Sequence, residues 1–233
     1  MPQETAFRTV LFDIDGTLMM AGGAGRLTID AIVEEHYGVR DALADVRLHG
    51  NTDPLILEEV ARLHAKEEAE AFLPVLTAKF LERMPAALAD RCTLLPGVRG
   101  FLDRLRQRGV PLGVVTGNFL ECAEAKLSIT GLDSYFSFLI TASDAALRDD
   151  MIRLAVSRLA PLPARRILYV GDTPWDVRAA RASGCGSLAV STSLYSRQAL
   201  HQEGPTWVAP SLRPFAGDAW DFAFAAPGEG GNS

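Results

Sequence analysis

The sequence predicts an α/β fold, a doubly wound parallel sheet with an all-helical segment inserted after its first strand. Three observations predict it. Short, continuously apolar runs rich in Val, Ile and Leu recur along the chain. Amphipathic stretches of helical length alternate with them. The alternation stops once, between about Gly25 and Cys92. Strands that are apolar on both faces belong in a parallel sheet covered by helices on both sides. The carboxyl ends of such strands share one edge, where ligands bind.

The elements follow in order. Strands are predicted at Thr9–Phe12, Leu112–Val115, Phe138–Thr141, Ile167–Val170 and Leu188–Val190. Helices between them are predicted at Val98–Gln107, Leu120–Ile129, Met151–Leu159 and Trp175–Ala182, by apolar residues recurring at helical spacing. The inserted segment reads as helices Leu27–Tyr37, Pro54–His64 and Glu67–Met84, rich in Ala, Leu and Glu. Pro96-Gly97 marks the return to alternating elements. The expected layout is a discontinuous α/β core over residues 1–20 and 93–215, a helical insert over 21–92 and a tail over 216–233. The Gly-rich end, Pro227 to Ser233, is expected to be disordered.

Composition narrows the function classes. The 233 residues carry a formal charge of −6, which argues against a general nucleic-acid or polybasic membrane binder. An anionic small molecule stays compatible, because a site needs only local positive charge. Three cysteines, Cys92, Cys122 and Cys185, are widely spaced and form no metal or disulfide framework, which points to a reducing, cytoplasmic setting. No apolar run reaches spanning length, and Asp13 and Asp15 interrupt the first one. Only three of the 23 basic residues are lysines: Lys66, Lys79 and Lys126. His36, His49, His64 and His201 are scattered and receive no chemistry.

The chemistry sits after the strands. The first strand runs into Asp13-Ile14-Asp15-Gly16-Thr17, two carboxylates with a glycine to turn the chain. The fourth runs into Gly171-Asp172-Thr173-Pro174-Trp175-Asp176, where Pro174 suits a helix start and Asp172 or Thr173 its cap. Capping accounts for one of these carboxylates, not both. Four acids converging on one edge repel one another unless a cation or proton compensates. Hard oxygen ligands of this kind suit Mg²⁺ completed by a phosphate oxygen. The second strand runs into Thr116-Gly117-Asn118, a donor-rich start to a helix that suits a phosphate.

These three motifs, in this order and each after a strand, resemble those of the haloacid dehalogenase-like hydrolases. The likeness is to the phosphoglycolate-phosphatase-like branch, whose Rossmann-like core carries a helical cap after the first strand. It runs from about Phe7 to Pro210 and includes Gly22–Arg26, Gly50–Asp53, Lys126-Leu127 and Gly131–Phe136. It implies that Asp13 is the nucleophile that forms an aspartyl-phosphate, and that Asp15 is the acid and base. It implies Mg²⁺ held by the Asp13 carboxylate, the Asp15 carbonyl and Asp172, with Asp176 orienting the site. Thr116, Gly117 and Asn118 would bind the phosphoryl group.

The family's third motif supplies a lysine just before the helix that leads to the fourth strand. Here Ala145 to Arg153 contains none. Arg148 is expected to replace it, its planar fork matching phosphate oxygens. Arg153 is expected to point away. Lys126 is read as a helix residue outside the chemistry.

The resemblance covers several reactions. Asp15 argues against dehalogenation, since halide leaves without a proton. It argues equally against phosphonate cleavage, which would use a cap lysine such as Lys66 or Lys79. The implied function is hydrolysis of a small phosphorylated metabolite, phosphoglycolate-like at branch level. A sugar phosphomutase and a non-catalytic phosphate- or protein-binding relative remain as alternatives. Specificity is expected in the insert, through Arg26 and the Gly50–Asp53 loop, with Trp175 at the rim.

Overall fold

The computed structural model describes residues 6–46, 48 and 50–224. His49 and the Gly-rich end lie outside the described residues.

Strand β1 (Thr9–Phe12) lies at the middle of a six-stranded parallel sheet. The others are β4 (Leu112–Val115), β5 (Phe138–Ile140), β6 (Ile167–Gly171), β7 (Gly186–Val190) and β8 (Trp207–Ala209), in the order β5-β4-β1-β6-β7-β8. The five strands expected from the sequence fall within two residues of their predicted bounds. The sixth, β8, was not expected: its three-residue run lies between Pro205 and Pro210, which read as a turn region.

Each strand of the centre buries both faces. Val10 and Phe12 enter one core cluster with Phe101, Leu102 and Val114, while Leu11 enters another with Val115, Ile152 and Tyr169. This is the period-two alternation expected when helices cover both sides. Helices α4 (Val98–Gln107), α5 (Leu120–Ile129), α6 (Arg148–Arg158), α7 (Pro174–Ala182) and α8 (Arg197–Gln202) connect the strands.

The chain visits β4 and β5 on one side of β1 and then crosses to β6 on the other. The switch point therefore falls at β1, flanked by β4 and β6, and their carboxyl ends open a crevice there.

The insert holds α1 (Ala24–Tyr37), α2 (Asp53–His64) and α3 (Ala69–Leu88). They share a core of Ile29, Ile32, Val33, Leu43, Leu57, Val60, Leu76, Phe80 and Met84. The chain enters and leaves through a two-residue antiparallel pair, β2 (Met19–Met20) with β3 (Thr93–Leu94).

Residues 213–224, which include the start of the expected tail, fold back onto the sheet. Phe215 and Phe224 join the main core, and Asp221 pairs with Arg104 and Arg108. Aromatic residues late in the chain explain this: Phe215 and Trp220 stack 4.5 Å apart, and Trp207 packs edge-on to Trp220. The three cysteines are unpaired. Among the described residues, no helix is long and apolar enough to cross a membrane.

Candidate active site

The sheet ladder carries Asp13 into the crevice, since its N–H still donates to Val170 O on β6 at 2.9 Å. The chain then turns at Gly16, whose φ is +76°. Its N–H donates to Met19 O at 2.8 Å. A Cβ at Gly16 would lie 2.3 Å from a carboxylate oxygen of Asp172, so glycine is required twice over. It allows the turn and lets the β1 and β6 loops touch. Thr17 Oγ1 donates to Asp172 at 3.2 Å, and Ser193 Oγ donates to the other oxygen of the same carboxylate.

Asp13, Asp172 and Asp176 form a buried cluster whose carboxylate oxygens lie within 4.8 Å of one another. Burial pushes the Asp13 carboxyl up to about 6, and Arg148 only partly opposes it. Burial, then the neighbouring Asp176 and Asp13, holds Asp172 well above the ordinary carboxylate range. Crowded carboxylates that are short of positive charge are the donor set a hard divalent cation requires.

Asp176 differs from the other two. One oxygen accepts from Thr173 N at 2.9 Å and closes a capping box at the start of α7. The other takes the Arg148 guanidinium at 2.9 Å. Both lone-pair sets are thus committed within the protein, which suits an orienting role. Asp13 and Asp172 are held less firmly: Asp13 meets the Arg148 guanidinium at 3.5 Å, and Asp172 accepts from the hydroxyls of Thr17 and Ser193.

Arg148 stands where the sequence reading put it, at the start of α6 and inside the site. Its Nη1 lies 3.5 Å from Asp13 and 3.0 Å from the Tyr169 hydroxyl, to which it donates. Tyr169 in turn donates to Val115 O at 3.1 Å. The buried Arg148 Nε finds no acceptor among the described residues. Arg153 points away as expected, pairing with Asp150 at 3.1 Å.

Lys126 requires a correction. The reading from sequence left it on a helix outside the chemistry. It is buried, with Nζ 2.6 Å from Asp15 and 2.9 Å from Asn118 Oδ1. Burial works against its charge, but Asp15 and Asp53 more than offset this and raise its pKa. A signal was present. The inward positions of α5 are Cys122, Ala123, Lys126 and Leu127, so the lysine interrupts an apolar stripe.

The insert docks on this same loop. Asp53 N donates to Gly117 O at 2.7 Å, and its carboxylate accepts from Phe119 N at 3.0 Å. Asn118 Nδ2 reaches the other Asp53 oxygen at 3.4 Å. Thr52 Oγ1 donates to Ala146 O at 3.0 Å, beside Arg148 in sequence. Burial pushes the Asp53 carboxyl up to about 6, although Lys126 draws it down. A chain of polar contacts therefore runs Asp15–Lys126–Asn118–Asp53 from core to insert.

Two cavities meet here. One of about 160 Å³ is lined by Asp13, Asp15, Thr116, Gly117, Asn118, Arg148, Asp172 and Thr173 with the Gly50–Asp53 loop. The other, of about 510 Å³, extends under the insert and includes Arg26 in its wall. Arg26 is held by Asp41 and lies 3.8 Å from Asp30. Trp175 packs edge-on to Tyr195 at 5.7 Å and lines a third hollow with Gly50 and Arg148.

Comparison with known proteins agrees with this layout. A sequence model of the haloacid dehalogenase-like hydrolases matches residues 7–184. A phosphoglycolate phosphatase of Pectobacterium atrosepticum is 27% identical over 209 residues, covering 88% of this chain and 89% of the relative. One from Xanthomonas campestris pv. campestris is 32% identical over 186 residues, covering 78% and 82%. In fold, the crystal structure of a predicted phosphoglycolate phosphatase from Haemophilus somnus superposes with a TM-score of 0.74 at 21% identity, over 91% of this chain and 96% of the other. The chain belongs to the haloacid dehalogenase-like hydrolases. Within them its class is phosphoric monoester hydrolase.

Proposed function

We propose that this hydrolase cleaves a phosphorylated small molecule through a phosphoryl group carried transiently on Asp13. The observation that carries the reading is the 160 Å³ cavity. It gathers a nucleophile candidate (Asp13), a second acid (Asp15) and phosphate-binding groups (Thr116, Asn118 and Arg148) around a volume suited to a phosphoryl group.

Asp13 Oδ attacks phosphorus as the P–O bond to the leaving group breaks, giving an aspartyl-phosphate and an alcohol. Asp15 gives the leaving oxygen its proton and then takes one from the water that cleaves the acyl phosphate. That cleavage returns the Asp13 carboxylate and releases inorganic phosphate. Lys126 fixes the Asp15 carboxylate from behind, at 2.6 Å. Arg148, which lines the small cavity, offers its guanidinium to a phosphoryl oxygen, and Thr116 and Asn118 offer further donors. Gly117 lets the backbone lie close to that group and to Thr52 of the insert. Asp13 and Asp172, with the Asp15 carbonyl, would hold Mg²⁺, while Asp176 orients the cluster through Arg148 and Thr173. A bound Mg²⁺ supplies the charge neutralisation that lets an anionic nucleophile meet an anionic ester.

The relatives' names make phosphoglycolate the first ester to try. The test is phosphate release from acetyl phosphate and a panel of monoesters, with Mg²⁺ added or chelated. Metal-dependent release is expected; a protein inert to every ester with Mg²⁺ present would instead favour a binding role.

A further inference from the structure

We infer that the leaving group this enzyme accepts is apolar and larger than glycolate: an aryl or branched alkyl alcohol esterified to the phosphate. This deepens the phosphatase reading above and rests on it.

Of the two cavities that meet at the site, Asp13, Arg148 and Asp172 line the small polar one alone. Asp15 and Asn118 line both cavities, with Ile56 and Asp53 from the insert. The acid that serves the leaving oxygen is thus at the boundary. A phosphoryl group in the small cavity places the organic remainder in the large one.

The large cavity holds about 510 Å³, within the range of pockets for drug-sized ligands. Glycolate has two carbons and would leave most of it unfilled. Its lining includes Met20, Ile29, Leu43, Leu57, Phe80 and Met84. These six side chains gain free energy by covering hydrocarbon and themselves offer a sugar hydroxyl no strong hydrogen bond.

Side-chain cations are few in this cavity. Among the described residues the lining contains two cations, Arg26 and Lys126. Arg26 is engaged by Asp41 and lies near Asp30. Lys126 is engaged by Asp15 and Asn118. The acids of the lining, Asp15 and Asp53, add negative potential. Glycolate's carboxylate would meet two acids there, with both side-chain cations already paired.

The test compares benzyl phosphate with phosphoglycolate, both esters of alcohols, on the wild type with Mg²⁺. Each methylene buried in such a wall is worth roughly fourfold in binding, so benzyl phosphate is expected to have at least about tenfold higher kcat/KM. Ile56→Arg, at a half-buried position lining both cavities, should lower that ratio by at least about fivefold. A ratio of two substrates on one preparation is independent of the fraction folded. Equal or better turnover of phosphoglycolate by the wild type overturns the inference, as does a preference for glucose 6-phosphate over benzyl phosphate. Acetyl phosphate separates the two levels. If it is hydrolysed, only the leaving-group inference is at stake; if neither it nor any ester is, the phosphatase reading falls and takes the inference with it.

Discussion

On the core side of the cleft, Asp13, Asp172 and Arg148 line about 160 Å³ at the ends of β1 and β6 and the start of α6, with Asp176 of α7 paired to Arg148. On the insert side, Ile29, Leu43, Leu57, Phe80 and Met84 wall about 510 Å³ with hydrocarbon. The contrast is a division of labour. Charge on the core side is costly to bury and is held in place by strand ends and a capping box, so it serves a fixed reaction. The insert's wall is set by how three helices pack, so it can change with the leaving group while the reaction stays the same. The Asp15–Lys126–Asn118–Asp53 chain joins the two sides, and perturbing it should affect both.

The largest effect should come from the core. Asp13→Asn removes the proposed nucleophile and should lower kcat by about a thousandfold or more, read as phosphate release with saturating Mg²⁺. Lys126→Met comes next. It frees Asp15 and removes one cation from the boundary, and should cost about 100-fold in kcat/KM on benzyl and acetyl phosphates alike. A loss confined to one ester would place Lys126 with the insert rather than the reaction.

Arg148→Met should lower activity too, but its clearest mark is on stability. It leaves Asp13 and Asp176 buried without their cation, which should cost about 3–5 kcal/mol in chelator by urea unfolding. Added Mg²⁺ should recover part of that loss, because it binds the same carboxylates.

The smallest effect belongs to the insert's exposed face. Lys79 and Arg83 on α3 hydrogen-bond Glu35 on α1 and pull its carboxyl down to about 2. A carboxyl depressed in the folded state adds stability above its unfolded pKa, near 4.5, and loses it as pH falls towards 2. Glu35→Gln should therefore lower Tm by about 3 °C or less at neutral pH, with no difference left near pH 2.

Much of this contrast could be read from the sequence on the core side and little on the insert side. Asp13, Thr116 and Asp172 each follow an apolar run, so a linear pattern marks them and the parallel sheet does the rest. Arg148 could be found because a cation was wanted near the start of one particular helix. Lys126 was marked only by a lysine interrupting the apolar stripe of α5, a weaker sign that does not say what the inward face meets. Ser193 and Tyr169 were likewise missed: one follows β7 in an unremarkable Ser-Thr-Ser run, the other lies mid-strand, where an aromatic reads as core. Asp53 was marked as part of the Gly50–Asp53 loop, not for the contacts it makes. That it clasps Gly117 and Phe119 is a property of two distant segments meeting. Helices α1 to α3 were each predicted, but no pattern along one helix shows the cavity they enclose together.

The central claim is that Asp13 carries the phosphoryl group, and Asp15→Asn tests it most directly. With 4-nitrophenyl phosphate the leaving group needs no proton, so the variant should complete the first step and stall at the second. The account predicts a burst of one nitrophenol per protein with Mg²⁺, and a phosphoryl adduct on the peptide containing Asp13 after acid quench. An adduct on another residue, or a burst that persists when Asp13→Asn is added to the same variant, would contradict it.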